Sequence, residues 1–345
     1  MSPSGNRDSL RSVRALVTGG GGRLGNVLVR SLLQGGHQAR VLEPRRGQSL
    51  DDLDCELIEG SVLDPDTVER AVRGVDLVFH LAAMIDLQPK KHPMMHAINV
   101  DGTRIVADAC RSAGVRMVHT SSHAALDREP LSEPLTEENP LALDSKCLYH
   151  RSKALAEQLV LDRCEKGLDA VIVNPGSLIG PYDYEPSLIG SVLLDLYFGR
   201  VPVLLDALTD YADVRDVVHG MINAAQRGRQ GERYFLTGDV IPAMQMVRLF
   251  GELSGRKMPS RALPLWVGWA AMPFALAAAA LTKKPALLTP DMLRASVSNE
   301  VVSHEKAARE LDFQLRPLRD SLFDALAWYE QQGWLSAVAE RKPVR

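Results

Sequence analysis

A tyrosine and a lysine stand four residues apart, at Tyr149 and Lys153, in a segment with helical spacing. Residues at i and i+4 share a helix face, so the two side chains would be neighbours. A nearby ammonium favours the phenolate and lowers the phenol pKa from ~10 toward neutrality, so the tyrosine can exchange a proton with an alkoxide. Ser122 ends an apolar run upstream, and its hydroxyl can hydrogen-bond a carbonyl oxygen as charge develops. These residue types predict acid–base chemistry on a ketone or an alcohol.

A glycine-rich stretch, TGGGGRLG, lies between a strand-like and a helix-like run. Gly19 allows a tight turn, Gly22 lets a pyrophosphate approach the main chain, and Gly25 lets the helix pack close to the strand. The helix beginning near Arg23 offers free N–H groups and partial positive charge to phosphates. The order strand, glycine turn, helix therefore predicts a dinucleotide site.

An acidic residue, Glu43, ends the second predicted strand 18 residues beyond Gly25. That position, about 20 residues past the glycine turn, suits a carboxylate that accepts hydrogen bonds from the adenosine ribose hydroxyls. Such a carboxylate repels a 2′-phosphate, although Arg45 and Arg46 follow and can offset the repulsion. NAD(H) is therefore favoured, and NADP(H) stays as the alternative. Arg23 is expected to lean over the adenosine.

Apolar runs of strand type alternate with segments of helical spacing through the first half of the chain. Strands are predicted at 13–18, 38–43, 75–83, 115–122 and 168–176, with a short strand and a turn within 55–64, and helices are predicted at 24–34, 65–74, 98–114 and 148–167. The alternation predicts an α/β fold with a Rossmann-type doubly wound parallel sheet. The predicted serine, tyrosine and lysine then lie at the carboxyl edge of the sheet, where ligands of such folds bind.

After residue 180 the alternation weakens, and a smaller, mostly helical C-terminal substrate lobe is predicted. The predicted organisation is a flexible N-terminal tail at 1–12, a dinucleotide-binding Rossmann domain at 13–180, the substrate lobe at 181–335 and a tail at 336–345. The lobe is interleaved with the last sheet elements, since about 210–236 is expected to return to the sheet.

The bulk composition is that of a globular protein: 345 residues, 46% apolar and 24% charged. The formal net charge of −3 gives no field that would attract nucleic acid, so no nucleic-acid partner is expected. The four cysteines show no C-x-x-C spacing, which predicts reduced thiols, no metal site and a cytoplasmic protein. The N-terminus lacks an apolar signal segment.

One apolar segment, 263–281, carries no charge over 19 residues and is long enough to cross a bilayer. Pro264 and Pro273 interrupt it, and its many alanines make it only mildly apolar. A buried or pocket-covering pair of helices is the favoured prediction. Contact with a membrane surface is the next alternative, and a transmembrane helix is the last.

Seven short motifs together resemble the short-chain dehydrogenase/reductase superfamily, in its extended subclass. They are TGGGGRLG at 18–25, HLAA at 80–83, INVDGT at 98–103, HTSS at 119–122, YHRSK at 149–153, NPGSLIGP at 174–181 and DVRDV at 213–217. The chain is most similar to the dihydroflavonol-reductase-like and 3β-hydroxysteroid-dehydrogenase-like branches. The resemblance spans roughly residues 13–335.

The resemblance implies a role for each matching residue. Ser122, Tyr149 and Lys153 match the catalytic residues, and Asn99 matches an asparagine that helps to order the active site and can hold a water chain. The implied cofactor contacts are Gly19, Gly22, Arg23, Leu24, Gly25, Glu43, Ser61, Val62, Leu81, Ala82, Ala83, Tyr149, Lys153, Asn174, Pro175 and Ser177. Among these, Ala82 and Ala83 pass the ribose, and Asn174 and Pro175 approach the nicotinamide.

The sequence departs from the family pattern at two places. Ser61 stands where the family often has an aspartate that contacts the adenine amine, which puts adenine recognition in doubt. His123 follows the catalytic serine, where small residues are frequent, and is a candidate to face the substrate. The predicted substrate-lining residues are Met84, His123, Tyr182 and Tyr184.

Three functions compete. The first is ketone–alcohol oxidoreduction on an apolar or aromatic small molecule, favoured by NPGSLIGP and by the apolar 263–281 segment. The second is a sugar-nucleotide epimerase or dehydratase with tightly held NAD, which needs cations for a diphosphate. Arg200, Arg215 and Arg256 are the candidates, without a clear cluster. The third is a non-catalytic dinucleotide sensor, which is disfavoured because such relatives lose the tyrosine or the lysine.

A homodimer is also implied by the resemblance. Members of the superfamily commonly pair through the two long helices beside the active site, here 98–113 and 148–166. The apolar residues expected on those faces are Ile105, Val106, Leu155, Leu159 and Val160, and burial in the core of the monomer explains some of them equally well.

Overall fold

The computed structural model describes residues 12–87, 93–201, 203–282, 286 and 288–336, so the predicted tails lie almost entirely outside the described residues. In chain order the strands and helices are β1 (Arg14–Thr18), α1 (Arg23–Gln34), β2 (Gln38–Glu43), β3 (Glu56–Glu59), α2 (Pro65–Val72), β4 (Leu77–His80), α3 (Pro93–His96), α4 (Thr103–Ala113), β5 (Arg116–Thr120), α5 (Leu148–Cys164), β6 (Ala170–Pro175), β7 (Ser177–Ile179), α6 (Leu188–Tyr197), β8 (Leu204–Leu205), β9 (Leu208–Asp213), α7 (Val214–Arg227), β10 (Arg233–Leu236), β11 (Asp239–Pro242), α8 (Ala243–Ser254), β12 (Ala262–Leu263), α9 (Leu265–Thr282), α10 (Pro290–Ala295), α11 (Glu305–Leu311) and α12 (Leu318–Gln331).

The main sheet has seven parallel strands in the order β10-β6-β5-β4-β1-β2-β3. This confirms the predicted Rossmann-type fold. The chain runs outward from β1 to β3 and then returns to β4 on the other side of β1, so the strand order reverses there. At such a switch point the carboxyl ends of neighbouring strands open a crevice. The glycine turn after β1 and the serines after β5 therefore lie at one edge of the sheet.

Strand β1 shows why the sheet is buried on both faces. Ala15 and Val17 point into the core formed with α1 and α7, whereas Leu16 points into the core formed with α2 and α4. Successive side chains alternate across a strand, so an unbroken apolar run supplies both layers. This is the arrangement that the continuous apolar strands predict.

The C-terminal lobe contains two small sheets that the sequence does not predict. One has the order β11-β9-β7 and the other pairs β12 with β8. Of the predicted 210–236 return, β10 does join the main sheet, beside β6, but β9 belongs to the lobe. A helical core built on α6, α8 and α12 supports these sheets, with Tyr329 fully buried at its centre.

Helix α9 corrects the favoured prediction for 263–281. One continuous helix runs through Pro273, and Gly268 is its one buried residue, so it is neither a pair of helices nor buried. Proline removes the N–H that would bond the carbonyl four residues earlier. Trp269, the residue that carries that carbonyl, is exposed, and water can satisfy the oxygen.

Helices α4 and α5 pack against each other beside the sheet. Val106 and Val160 are fully buried in the core of the subunit, so the prediction that they form part of a dimer face is wrong. Ile105 and Leu159 are partly buried against the same core. Leu155 is also half-buried.

Candidate active site

The glycine turn after β1 is shaped by close backbone approach. Gly19 has a φ of 75°, and a Cβ there would lie 2.8 Å from the amide nitrogen of Ala82. A Cβ on Gly25 would overlap the carbonyl oxygen of Gly19. At Gly22, by contrast, a Cβ would meet only that oxygen, at 3.4 Å. The first and third glycines are thus required by packing, and the second faces open space, as a pyrophosphate cradle requires.

The N-terminus of α1 completes this cradle. Gly22 is its N-cap and supplies no side-chain hydrogen bond, so the first N–H groups of the helix stay available to an anion. The side chain of Leu24 packs into the core, which leaves its main chain as the part that can reach a cofactor.

Glu43 stands beside the turn, as predicted. Its Oε1 accepts a hydrogen bond of 2.6 Å from the Gly21 N–H, and burial raises the pKa of its carboxyl. Arg46 donates to the carbonyl oxygen of Leu50, and Arg45 is exposed. The carboxylate thus contacts the turn directly, which fits NAD(H).

The prediction that Arg23 leans over the adenosine is wrong. Its guanidinium donates to the carbonyl oxygens of Leu178 and Gly180 and to Ser187, and lies 3.7 Å from the carboxylate of Asp183. The side chain therefore holds the C-terminal lobe, and only the main chain of Arg23 remains in the cradle.

The segment 81–83 runs beside the glycine turn, since Gly19 lies against the main chain of Ala82. Thr18 fixes it, since its hydroxyl accepts the N–H groups of Leu81 and Ala82 at 3.2 Å. Ala83 follows and is exposed. The main chain of 81–83 thus forms a second wall of the cradle.

Ser61 and Val62 show contacts that differ from the prediction. The Ser61 hydroxyl accepts the N–H of Leu63. Val62 is buried, and its side chain lies where a Cβ on Gly102 would meet it. Both side chains are thus directed to local structure, which leaves their main chain as the part that can contact a cofactor.

Ser122 and Tyr149 come together across the crevice. Ser122 follows β5, and its Oγ accepts the Ala124 N–H at 3.2 Å. Tyr149 is the second residue of α5, and its hydroxyl lies near the Ser122 side chain. Burial raises the pKa of Tyr149 to about 12, and the neighbouring Ser122 only partly opposes the rise. The predicted lowering of this pKa is therefore wrong, because loss of solvation outweighs the effect of Ser122.

Lys153 lies one turn further along α5, as its spacing predicts. It is buried, and its Nζ donates a 2.9 Å hydrogen bond to the carbonyl oxygen of Thr120. Burial lowers the pKa of Lys153 to about 8, and the Glu157 carboxylate acts in the opposite sense. A phenol that stays protonated and a nearby ammonium suit proton donation to a nascent alkoxide.

Asn99 lies in a π-helical segment, Ala97–Gly102, between α3 and α4. Its side chain accepts the Met84 N–H at 2.7 Å and donates to the Met84 carbonyl oxygen and to Ser152 at 3.0 and 2.9 Å. Local π-helix often marks a functional site. Asn99 thus ties the loop after β4, including the predicted substrate residue Met84, to α5, which is the ordering role expected of it.

We expect Asn99→Ala to lower the free energy of unfolding by about 1–3 kcal/mol, because the main chain of Met84 loses its partners. The displaced loop should also lower kcat by up to about 100-fold. Urea unfolding and steady-state kinetics measure the two effects. Asn223→Ala is the matched control, because Asn223 is a buried asparagine that donates to Leu311 in the far core. It should lose stability alone, and an equal loss of kcat there would contradict the positioning role.

The side chain of Asn174 belongs to a buried network beside Ser122. Its amide is fully buried and donates to the Ser122 carbonyl oxygen at 3.1 Å and to Glu157 at 2.8 Å. Glu157 in turn forms a buried ion pair with Arg233. Asn174 thus holds the main chain of Ser122, and Glu157 lies one turn beyond Lys153 on α5. Sequence reasoning missed Glu157, although its i+4 spacing from Lys153 is visible in the chain.

Tyr182 and Tyr184 are removed from the predicted substrate lining. Both rings contact Trp328, and the Arg30 guanidinium stacks over Tyr182 and donates to the Tyr184 hydroxyl. They join α1 to α12 and thereby anchor the lobe. Pro175 is buried at the end of β6, and Ser177, at the start of β7, is half-buried.

His123 belongs to a buried polar group behind Ser122. Arg128 donates to His123 Nε2 at 3.0 Å, so the ring, whose pKa burial holds well below its usual range, is neutral with its proton on Nδ1. That nitrogen lies 3.6 Å from Asp210, whose pKa burial raises to about 7. His123 therefore supports the wall beside Ser122, and no motif in the sequence points to its partner Asp210.

The glycine cradle and the Ser122–Tyr149–Lys153 group define a class: nicotinamide-dependent enzymes built on a Rossmann fold. The family model for the NAD dependent epimerase/dehydratase family matches residues 15–236, and the chain belongs to that family. This confirms the extended short-chain dehydrogenase/reductase resemblance and the assignment as an enzyme. NAD(H), which the sequence favours, is also the cofactor of the family.

Two relatives and one solved structure match nearly the whole chain. "Sterol demethylase protein B" of Methylococcus capsulatus is 32% identical over 93% of this chain and 99% of the relative. A 4-hydroxy-2-methyl-3-oxo-4-farnesyl-3,4-dihydroquinoline-1-oxide ketoreductase of Stigmatella aurantiaca is 32% identical over 91% and 96%. The crystal structure of gox2253 has 34% identity and a TM-score of 0.82 over 94% of this chain and 99% of its own. The chain is thus similar to oxidoreductases.

Proposed function

We propose that this protein interconverts a ketone and a secondary alcohol on an apolar or aromatic small molecule. The observation that carries the proposal is the meeting of three side chains at the carboxyl edge of the sheet: Ser122 lies near the Tyr149 hydroxyl, and Lys153 lies one turn further along the same helix. The names of the two relatives, which refer to a sterol and to a farnesylated ketone, support an apolar substrate.

The residues of the chain divide the work. The cradle at 18–25 and Glu43 fit the pyrophosphate and ribose of NAD(H), which when bound supplies or accepts the hydride. Ser122 orients the substrate carbonyl, and Tyr149 donates a proton to the oxygen as negative charge develops. The Lys153 ammonium stabilises the phenolate that remains. In oxidation the proton moves in the reverse direction.

The test is a panel assay of the purified protein. NADH and NADPH oxidation are followed with apolar ketones and, separately, with UDP- and dTDP-sugars. We expect turnover of ketones with NADH preferred over NADPH. Conversion of a sugar nucleotide without turnover of any ketone would overturn the proposal.

The same panel also tests the two alternative functions, a sugar-nucleotide enzyme and a dinucleotide sensor. A sugar-nucleotide enzyme needs cations for a diphosphate, but Arg215 is paired with Asp213 and Asp324, Arg200 lies near Asp195, and Arg256 stacks on Tyr197. These arginines are thus used within the lobe. A dinucleotide sensor would bind NADH and turn over neither substrate class.

The pH dependence of ketone reduction should report Lys153. The Lys153 amine is protonated below its pKa of about 8 and loses its charge above it, whereas an exposed lysine would stay charged up to a pH of ~10.4. We therefore expect kcat to fall about tenfold per pH unit above pH 8. Lys153→Arg, which keeps its charge, should remove this decline from its residual activity. A wild-type plateau that extends to pH 10 would contradict the assignment.

We propose that the protein forms a homodimer through the partly buried Ile105, Leu155 and Leu159. Sedimentation equilibrium measures the oligomeric state. Cytoplasmic location fits the four free thiols. Membrane-surface contact through α9 is proposed as the remaining partner interaction.

A further inference from the structure

Helix α9 exposes an apolar face along its whole length. Trp266, Phe274 and Leu281 are 69%, 78% and 85% exposed, and they repeat at helical spacing. Trp269 is also exposed, and seven of the other positions between Trp266 and Leu281 are alanine. Soluble proteins rarely leave a continuous apolar face of this size in water, so the face is expected to have a partner.

The opposite face of α9 is attached to the lobe. Gly268 lies against Leu293 of α10 and Leu205 of β8, so closely that a Cβ there would meet both side chains. The Arg294 guanidinium lies 5.9 Å from the Trp269 ring. A helix held along one side is placed to lie on a membrane surface, with its free side in the headgroup region.

Charge identifies the partner as an anionic surface. No aspartate or glutamate occurs between Glu252 and Asp291, although the chain as a whole carries a net charge of −3. The cations within that stretch are Arg256, Lys257, Arg261, Lys283 and Lys284. Lys257 and Arg261 are exposed before the helix, whereas Arg256, also exposed, stacks on Tyr197; the two lysines follow the helix in the sequence, outside the described residues. A second copy docked on this face would bring like charges together, whereas anionic lipid headgroups attract them.

Helix α10 joins α9 to the active site. The Asp291 carboxylate accepts the N–H of Leu148, the residue before Tyr149, at 3.4 Å. Thr289, the N-cap of α10, donates to the carbonyl oxygen of Leu87 in the loop after β4 at 2.5 Å. The membrane-facing helix is thus one helix away from both walls of the proposed substrate site.

We propose that α9 docks flat on an anionic lipid bilayer, and that an apolar ketone reaches Tyr149 from the bilayer past α9 and α10. The second part rests on the proposed function, and the first does not. Aromatic residues suit the headgroup boundary, and the exposed basic residues before the helix suit an anionic surface.

Co-sedimentation of the full chain with vesicles tests the docking. Vesicles of phosphatidylcholine alone are compared with vesicles of equal parts phosphatidylcholine and phosphatidylglycerol, without substrate. We expect binding to the anionic vesicles that weakens with added salt. The combined variant Trp266→Ser, Phe274→Ser and Leu281→Ser should bind at least about tenfold more weakly. Phe323→Ser, which removes another exposed aromatic residue, on α12, is the matched control and should bind as the wild type does.

Two results would overturn the docking. One is wild-type protein that stays in the supernatant with both vesicle types. The other is equal vesicle binding by the wild type and the triple variant, with urea unfolding showing that both are folded. If gel filtration instead shows a wild-type oligomer that the triple variant dissociates, and no vesicle binding occurs, the face belongs to a second copy and the proposal is also wrong.

Kinetics separate the two parts of the proposal. The triple variant should keep the wild-type kcat/KM for a short water-soluble ketone and lose about tenfold for a long-chain ketone held in anionic vesicles. An equal kcat/KM for the vesicle-held ketone would refute entry from the bilayer. Vesicle binding without reduction of any ketone would overturn the proposed function and leave the docking intact.

Discussion

Tyr149→Phe is expected to lower kcat for ketone reduction by roughly 10²–10⁴-fold, the range typical for loss of a positioned proton donor. The ring itself is retained, so α5 and the contact with Ser122 should keep their places, and NADH binding should stay within about twofold. Steady-state reduction of an apolar ketone measures kcat, and quenching of protein fluorescence by NADH measures the dissociation constant.

The matched control for this substitution is Tyr197→Phe. Tyr197 lies on α6 in the lobe, with Arg256 stacked on its ring. It should leave kcat unchanged. A Tyr149→Phe variant with more than about half of the wild-type kcat would show that the proton comes from another group.

Gly25→Ala is expected to lower the free energy of unfolding by about 1–3 kcal/mol or more, because the new methyl group overlaps the Gly19 carbonyl oxygen. The helix must move away from β1 to accommodate it, and the cradle opens. NADH affinity should then fall with stability. Urea unfolding and fluorescence titration measure the two quantities.

Gly22→Ala separates packing from cofactor binding. Gly22 has an ordinary φ of −70°, and a Cβ there meets only one atom, at van der Waals distance. The variant should therefore unfold at the same urea concentration as the wild type while NADH affinity falls. Equal NADH affinity in this variant would contradict the assignment of the turn as the pyrophosphate cradle.

The sheet could be predicted because each of its strands is a local signal. Continuous apolar runs bounded by glycine or proline give the strands of the first half, and their observed bounds lie within a few residues of the predictions. The small sheets of the lobe could not be predicted, because β8 and β12 have two residues each and pair across a long stretch of chain. The exposure of α9 was missed for a related reason, since composition does not show which faces a fold covers.

The candidate active site also has residues that the sequence places correctly and residues that it does not. Gly19, Gly25, Glu43, Ser122, Tyr149 and Lys153 lie where motif spacing places them. The side chains of Arg23 and Tyr182 point elsewhere, because their partners come from distant parts of the chain. The sign of the Tyr149 pKa shift depends on burial, which one sequence does not reveal.

Arg23 has a dual position with a thermodynamic consequence. Its main chain begins α1 at the cradle, and its side chain donates hydrogen bonds to the stretch from Leu178 to Ser187. A coenzyme that orders the first turn of α1 must also order that stretch. By thermodynamic linkage, a ligand that orders the lobe must raise the affinity for the coenzyme by the same factor. The two ligands of this protein would then bind cooperatively through a single arginine.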